Sequence, residues 1–168
     1  FKGTDVTGEM LDFKNIESDI LTQLRRAEDF IFEHIPQKAW IEEGKLQRQE
    51  KWLYPPQALR EALANAYAHR DYQSTSGVQI RIFDDRLEIW NPGSLPQELT
   101  VEKLREKHSS IPRNPLLARM FFLIKYVEEV GTGTNKIITW CKQWELAEPL
   151  FEVTGGSFVI TFRKSKVT

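Results

Sequence analysis

Apolar residues along this chain recur in two rhythms, one near 3.6 residues and one of 2, and the switches between them predict the order of elements. Ile16, Ile20, Leu21, Leu24, Ala27, Phe30 and Ile31 keep the helical spacing and predict a helix over 16–35. Pro36 stops it, because proline has no amide hydrogen and restricts the residue before it. Residues 38–54 alternate loosely around Gly44 and predict a strand pair with Trp40, Leu46 and Trp52 turned toward a core. Pro55-Pro56 opens a second helix, where a first-turn proline forfeits no hydrogen bond. Leu59, Ala62, Leu63 and Ala66 form its buried side, with Glu61, Asn65 and His69 on an adjoining one. Residues 78–82 and 87–90 alternate around Asp84-Asp85 as a hairpin with one dry face, and 151–153 and 158–162 flank Gly155-Gly156 as another.

Between the hairpins, 91–96 reads as a loop, Thr100 as the cap of a short helix holding Leu104, and 116–127 as a strongly apolar helix. Val130-Gly131-Thr132-Gly133 breaks that helix, and 135–144 restarts one. Residues 1–14 read as a polar arm or linker, and 106–113 as the least regular connection. Helices and antiparallel hairpins in this order predict an α+β fold, a two-layer α/β sandwich. A doubly wound fold would need regular βα alternation with parallel strands, which this pattern lacks.

Composition narrows the function more than the fold. With 168 residues, 40% hydrophobic and 28% charged, the chain has enough apolar material for one sizeable core. A net charge of -1 supplies no general attraction to nucleic acid or an anionic membrane, so DNA contact by this segment would need a local basic patch. Cys141 is the sole cysteine, which excludes an intrachain disulfide and a cysteine metal cluster; its apolar helical setting reads as an inert buried thiol. No run of about eighteen apolar residues and no secretory leader occur, the expectation for an intracellular, cytoplasmic protein with no membrane partner. The first residues, Phe1-Lys2-Gly3-Thr4, read as the middle of a longer sequence with a domain upstream.

Three short stretches carry candidate chemistry. In Arg60-Glu61-Ala62-Leu63-Ala64-Asn65-Ala66, a carboxylate and a carboxamide four residues apart share one helix face among small neighbours. Asn65 Oδ1 suits a Mg²⁺ ligand shell that keeps its waters, and Glu61 can orient or deprotonate a water; the plainer alternative is a helix-face amide bonded to a nearby loop. Asn91 precedes the rigid Pro92-Gly93 turn, where its oxygen can accept from an adenine amine and Gly93 lets a flat base approach the backbone; or Asn91 simply caps that turn. Gly131 and Gly133 stand before a helix, where bare amides and the helix dipole favour phosphate, or where a flexible helix-to-helix turn is all that is needed. The stretch from Gly131 to Ile137 lacks the glycine-lysine-hydroxyl order of a Walker A loop and the last glycine of a dinucleotide fingerprint, so a P-loop motor is unsupported. His69 lacks a partner at metal-ligand spacing, as do His34 and His108.

Taken together, Arg60-Glu61-x-x-x-Asn65-Ala66, Asn91-Pro92-Gly93-Ser94-Leu95-Pro96 and Gly131-Thr132-Gly133 resemble the three boxes of the GHKL superfamily of gyrase, heat-shock chaperone ATPases and histidine kinases. The resemblance is nearer to a branch labelled putative ATP-dependent DNA helicase RecG C-terminal-like, which follows AlbA-like, Schlafen-type (divergent AAA-4) domains in transcriptional regulators. Tyr54-Pro55, Ala68-His69-Arg70-Asp71-Tyr72, Arg113-Asn114-Pro115, Tyr126-Val127-Glu128-Glu129 and Gly155-Gly156-Ser157-Phe158 extend it over 54–163. It implies a Bergerat-type sandwich with a mixed, mostly antiparallel sheet covered on one face by helices. Residues 1–53 would lead into the domain and 54–168 would form it. It further implies ATP and Mg²⁺ as cofactors, Glu61 as the catalytic glutamate, Asn65 as the magnesium ligand, and Asn91, Gly93, Gly131 and Gly133 as nucleotide contacts. Arg113 is the best candidate for a phosphate donor, and residues 94–130 would fold over the ligand. Asn91 departs from the superfamily's aspartate, Leu95 and Asn135 from later glycines. The function expected is an ATP-binding, slowly hydrolysing regulatory domain, or a noncatalytic dimerisation domain whose pocket has degenerated. Its partners would be nucleotide, a second copy in self-association, and DNA only through the upstream domain.

Overall fold

The computed structural model of the protein describes residues 1–106, 108, 111–127 and 133–164. Its centre is a helix of which half the residues are alanine or leucine. The first helix, α1, spans Ile20–His34 and begins later than the apolar spacing suggests, because Asp19 Oδ1 caps it by accepting from Thr22 N at 3.0 Å. It ends where Ile35 turns extended before Pro36. Strands β1 (Gln37–Ile41) and β2 (Arg48–Trp52) form a separate two-stranded sheet. The expectation that this pair turns Trp40 and Leu46 to a core fails: Trp40 is 42% exposed and Leu46 fully so. The base of the ribbon is anchored through Trp52, whose ring lies 4.8 Å from Phe32 and whose carbonyl accepts from Trp144 Nε1 at 2.9 Å.

Helix α2 runs Pro56–His69 with proline in its first turn. It is buried nearly all round, Glu61 included, because its alanines let neighbours approach from several sides at once. Leu24, Ala27 and Ile31 of α1 join Leu59, Leu63 and Ala66 of α2 in one continuous core. Arg60 Nε donates to Glu28 Oε1 at 2.6 Å and Tyr126 O–H to Glu28 Oε2 at 3.2 Å, tying α1 to α2 at the helix's outer edge.

The main sheet has four strands: β3 (Gln79–Ile82), β4 (Arg86–Pro92) and, after two further helices, β5 (Leu150–Thr154) and β6 (Ser157–Arg163). Their order is β3-β4-β6-β5, and every described pairing is antiparallel, where a mixed but mostly antiparallel sheet was expected. Leu87 pairs with Phe162, Ile89 with Ile160, and Asn91 with Phe158, so these six residues form one row pointing to the helix-covered face. Strand β4 thus runs through Pro92, and Asn91 is a strand residue rather than a loop residue. On the opposite face Glu88 is buried, accepting from Arg86 Nε at 2.6 Å and Trp90 Nε1 at 2.7 Å. The amino-terminal segment lies against the β3–β4 turn, with Gly3 N donating to Asp84 Oδ2 at 2.6 Å.

Helix α3, Pro115–Leu123, is shorter than the expected 116–127. Lys125 takes a left-handed φ of 57°, and Tyr126 N reaches back to Phe121 O at 2.9 Å, closing the helix in a Schellman arrangement without glycine. Helix α4, Gly133–Gln143, begins two residues before the expected start and ends the same way, with Glu145 at φ 60° and Leu146 N on Cys141 O. Cys141 is buried, and burial pushes its thiol up to about 12, in keeping with an inert packed group. Among the described residues no helix is long and apolar enough to cross a membrane.

Leu63, with no exposed surface, and Leu46, fully exposed, set the contrast that tests this core. Leu63→Ala is expected to lower unfolding free energy by about 2–5 kcal/mol, and Leu46→Ala to change it by less than about 0.5 kcal/mol, measured by urea denaturation.

Candidate functional site

One cleft is lined by residues from helix α2, the main sheet, the chain after β4 and the start of α4, and the chain's local geometry explains each. Helix α2 contributes Ala62, Asn65, Ala66 and His69, a single face at i, i+3, i+4 and i+7 spacing. The sheet contributes Ile89, Asn91, Phe158 and Ile160, all from the inward-pointing row. The chain after β4 covers one side through Leu95, Pro96 and Leu99, and Gly133 and Thr134 at the start of α4 close the other. The open space is about 760 Å³, mouth included.

The walls are largely apolar, and the polar atoms on them are few. Asn91 is 3% exposed, and its Oδ1 has no hydrogen-bond partner; Thr134 is 9% exposed, and its Oγ1 has none either. An unpartnered buried oxygen of this kind costs about 1–3 kcal/mol, so two of them on one cleft are a reason to look for a ligand that satisfies them. His69 stands one turn beyond Asn65. Burial, reinforced by the positive charge of Arg113, holds its imidazole below the ordinary histidine range, so it faces the cleft neutral at pH 7. No group of three metal-ligating side chains occurs among the described residues.

Glu61 lies deeper than Asn65. It is 6% exposed and does not line the cleft; it sits beneath the first residue of α4. A Cβ placed on Gly133 would collide with Glu61 Oε1 and come within 2.8 Å of Asn65 Nδ2. Gly133 is therefore the point at which α4 rests on both residues.

Gly93 and Arg113 fall outside the cleft wall. Gly93 has φ 129°, and a Cβ there would lie 3.4 Å from Asp71 N and His69 O, so the glycine serves the close passage of the β4 end past the end of α2. Its amide donates to Gly156 O at 3.0 Å. Arg113 Nη2 donates to Ser94 O at 3.2 Å, with Nη1 3.7 Å from Asp71 Oδ2, which pins the chain after β4 to the loop after α2. Asn114 reinforces that junction, its Nδ2 donating to Ala68 O at 3.1 Å and Arg70 O at 2.8 Å. Gly131 lies outside the described residues. Thr134 is the residue that motif reading passed over. The spacing of Thr134, Ile137 and Cys141 on α4 carries the signal, since it places all three on the buried side of that helix.

A family model described as "Putative ATP-dependent DNA helicase recG C-terminal" matches residues 75–162. That stretch takes in Asn91, Gly93, Arg113, Gly131 and Gly133, and begins after α2. The crystal structure of the DIP2311 protein from Corynebacterium diphtheriae has the same fold, with a TM-score of 0.82 at 23% identity over 98% of this chain. This chain spans 34% of the length of that protein. No curated protein matches the sequence.

The Gly133 contact makes a direct forecast. Gly133→Ala is expected to lower the melting temperature by several degrees, because added volume in a packed junction costs about 1–3 kcal/mol. Gly77→Ala, whose Cβ would meet open space, is the control and should leave the melting curve in place.

Proposed function

The chain belongs to the family described as "Putative ATP-dependent DNA helicase recG C-terminal", and from that premise we propose that it is an ATP-binding regulatory domain of the GHKL, Bergerat-fold kind. The observation that carries this reading is the buried, unpartnered Asn91 Oδ1, on a cleft whose walls also present Asn65 and the start of α4. An oxygen that can only accept suits the amine of adenine and repels the carbonyl of guanine. The apolar walls, Ile89, Phe158, Ile160 and the two alanines of α2, suit the faces of a base.

The residues at the other end of α2's face fit a phosphate-bound cation. Asn65 Oδ1 would be its protein ligand, and the ion would neutralise phosphate charge when bound. Amides at the start of α4 would face the phosphates, and the positive end of the helix would favour them. Glu61 would hold the attacking water, and the burial that surrounds it would keep that water in one orientation. The word helicase in the family's description finds no support in a P-loop, which this sequence lacks. Regulation of transcription, self-association and DNA contact through an upstream domain belong to the same proposal, on the strength of the resemblance alone.

A second reading, a pocket that binds without turnover, has one specific observation in its favour. Glu61 Oε1 occupies the space beside Gly133 and does not line the cleft.

Calorimetric titration with ATP, with and without Mg²⁺, tests the binding. Wild-type protein is expected to bind ATP at least about tenfold more tightly than GTP, and Asn91→Leu to weaken ATP by about 5–10-fold, the worth of one hydrogen bond. A protein indifferent to millimolar ATP rules the reading out. Phosphate release then separates the two versions. Glu61→Gln is expected to abolish turnover with ATP affinity retained within about threefold, whereas no turnover in the wild type leaves the binding-only version standing.

A further inference from the structure

Thr134 holds a hydroxyl in a place where a methyl group would do the packing equally well. It is 9% exposed, on the first turn of α4, and its Oγ1 is buried without a partner. A helical threonine normally escapes that situation by donating to the carbonyl four residues back. Thr139 on the same helix does so, its Oγ1 donating to Asn135 O at 3.0 Å. Thr134 stands in the first turn, outside that ladder, and its place beside Ile137 and Cys141 on the buried side of α4 keeps it from turning outward to water. Valine would keep the same β-branched shape and remove the unsatisfied atom.

The hydroxyl also differs in kind from the other unpartnered oxygen of the cleft. Asn91 Oδ1 accepts only, whereas a threonine hydroxyl can donate as well. A ligand satisfying both must present a donor to one wall and an acceptor to the other. Adenine nucleotides have that property, with one amine and many acceptors among ring nitrogens, ribose and phosphate oxygens. Thr134 and Asn91 belong to different elements, α4 and β4, so such a ligand would bridge the helix layer to the sheet.

We propose that Thr134 is a direct ligand-contact residue, its Oγ1 hydroxyl donating a hydrogen bond to an acceptor atom of the bound nucleotide. This rests on the ATP-binding reading and adds a residue to it. The test compares wild type, Thr134→Val and Thr134→Ser by calorimetry with ATP, ADP and adenosine, and by thermal melting without ligand. Thr134→Val is expected to melt no lower than the wild type, since it removes an unsatisfied buried group, and to bind ATP about 5–10-fold more weakly. Thr134→Ser keeps the hydroxyl and should stay within about twofold. An equal loss for ATP, ADP and adenosine places the acceptor on the nucleoside; a loss confined to ATP places it on the terminal phosphate. Unchanged ATP affinity in Thr134→Val overturns the proposal while leaving ATP binding intact. So does a ligand-free melting point lowered by several degrees, which would mean that the hydroxyl has a partner inside the protein. A wild type that ignores ATP removes both readings together.

Discussion

Helix α4 reaches α2 through a residue with no side chain. A Cβ at 133 would fall on Glu61 Oε1 and crowd Asn65, so glycine lets the backbone of α4 rest on these two polar groups without either side chain having to shift. The consequence runs in two directions. Toward the core, it lets Ile137 and Cys141 seat against the alanine-rich body of α2 without a gap. Toward the cleft, it brings Asn65 close to the first turn of α4, and both line it. The alanines of α2 act to the same end, because short side chains let α1, α4 and the sheet crowd a single helix while leaving one face open.

Strand β4 supplies the other fixed point. Leu87 and Ile89 face the core, and the pleat carries Asn91 to the same side. A carboxamide at this position is a compromise between two costs. A carboxylate would hold an amine more strongly, as charge-assisted bonds do, but with no ligand it would be a buried charge lacking any partner. The neutral amide lowers that penalty and, on the proposed reading, would give up about 1 kcal/mol of grip on an amine. With His69 also neutral, the wall shared by α2 and β4 carries little charge around Asn91.

Much of this arrangement was legible in the chain. The 3.6-residue rhythm of 56–69 and the twofold rhythm around Asp84-Asp85 and Gly155-Gly156 gave α2 and both hairpins, since each pattern has one structural solution once a core is present. Asn65, Asn91 and Gly133, taken from three separated stretches, stand on one cleft. The misses have physical causes. Trp40 and Leu46 looked like core residues, yet among the described residues no layer covers the two-stranded ribbon to bury them. Helix α3 stopped early because Lys125 adopts the left-handed turn that glycine usually provides, and no residue type announces that choice. Gly93 and Arg113 sat beside the right motif, but their roles depend on where the end of α2 passes, a long-range contact invisible to local reading.

That long-range contact explains how the cleft keeps its roof. The carbonyls at the end of α2 are taken up by Asn114, and the neighbouring Arg113 holds Ser94 O at the start of the chain that covers the cleft. Pro92 O in turn accepts from Asp71 N at 2.8 Å. The end of one helix therefore anchors the strand that bears Asn91, the covering chain and the start of α3 together. Because α2 is at once the centre of the core and a wall of the cleft, a substitution on it alters packing and ligand geometry through the same atoms. Loss of binding on α2 therefore speaks of the site only when the ligand-free protein keeps its stability. Substitutions on β4 and on the first turn of α4 remove a single oxygen at a time, and in them the two effects separate.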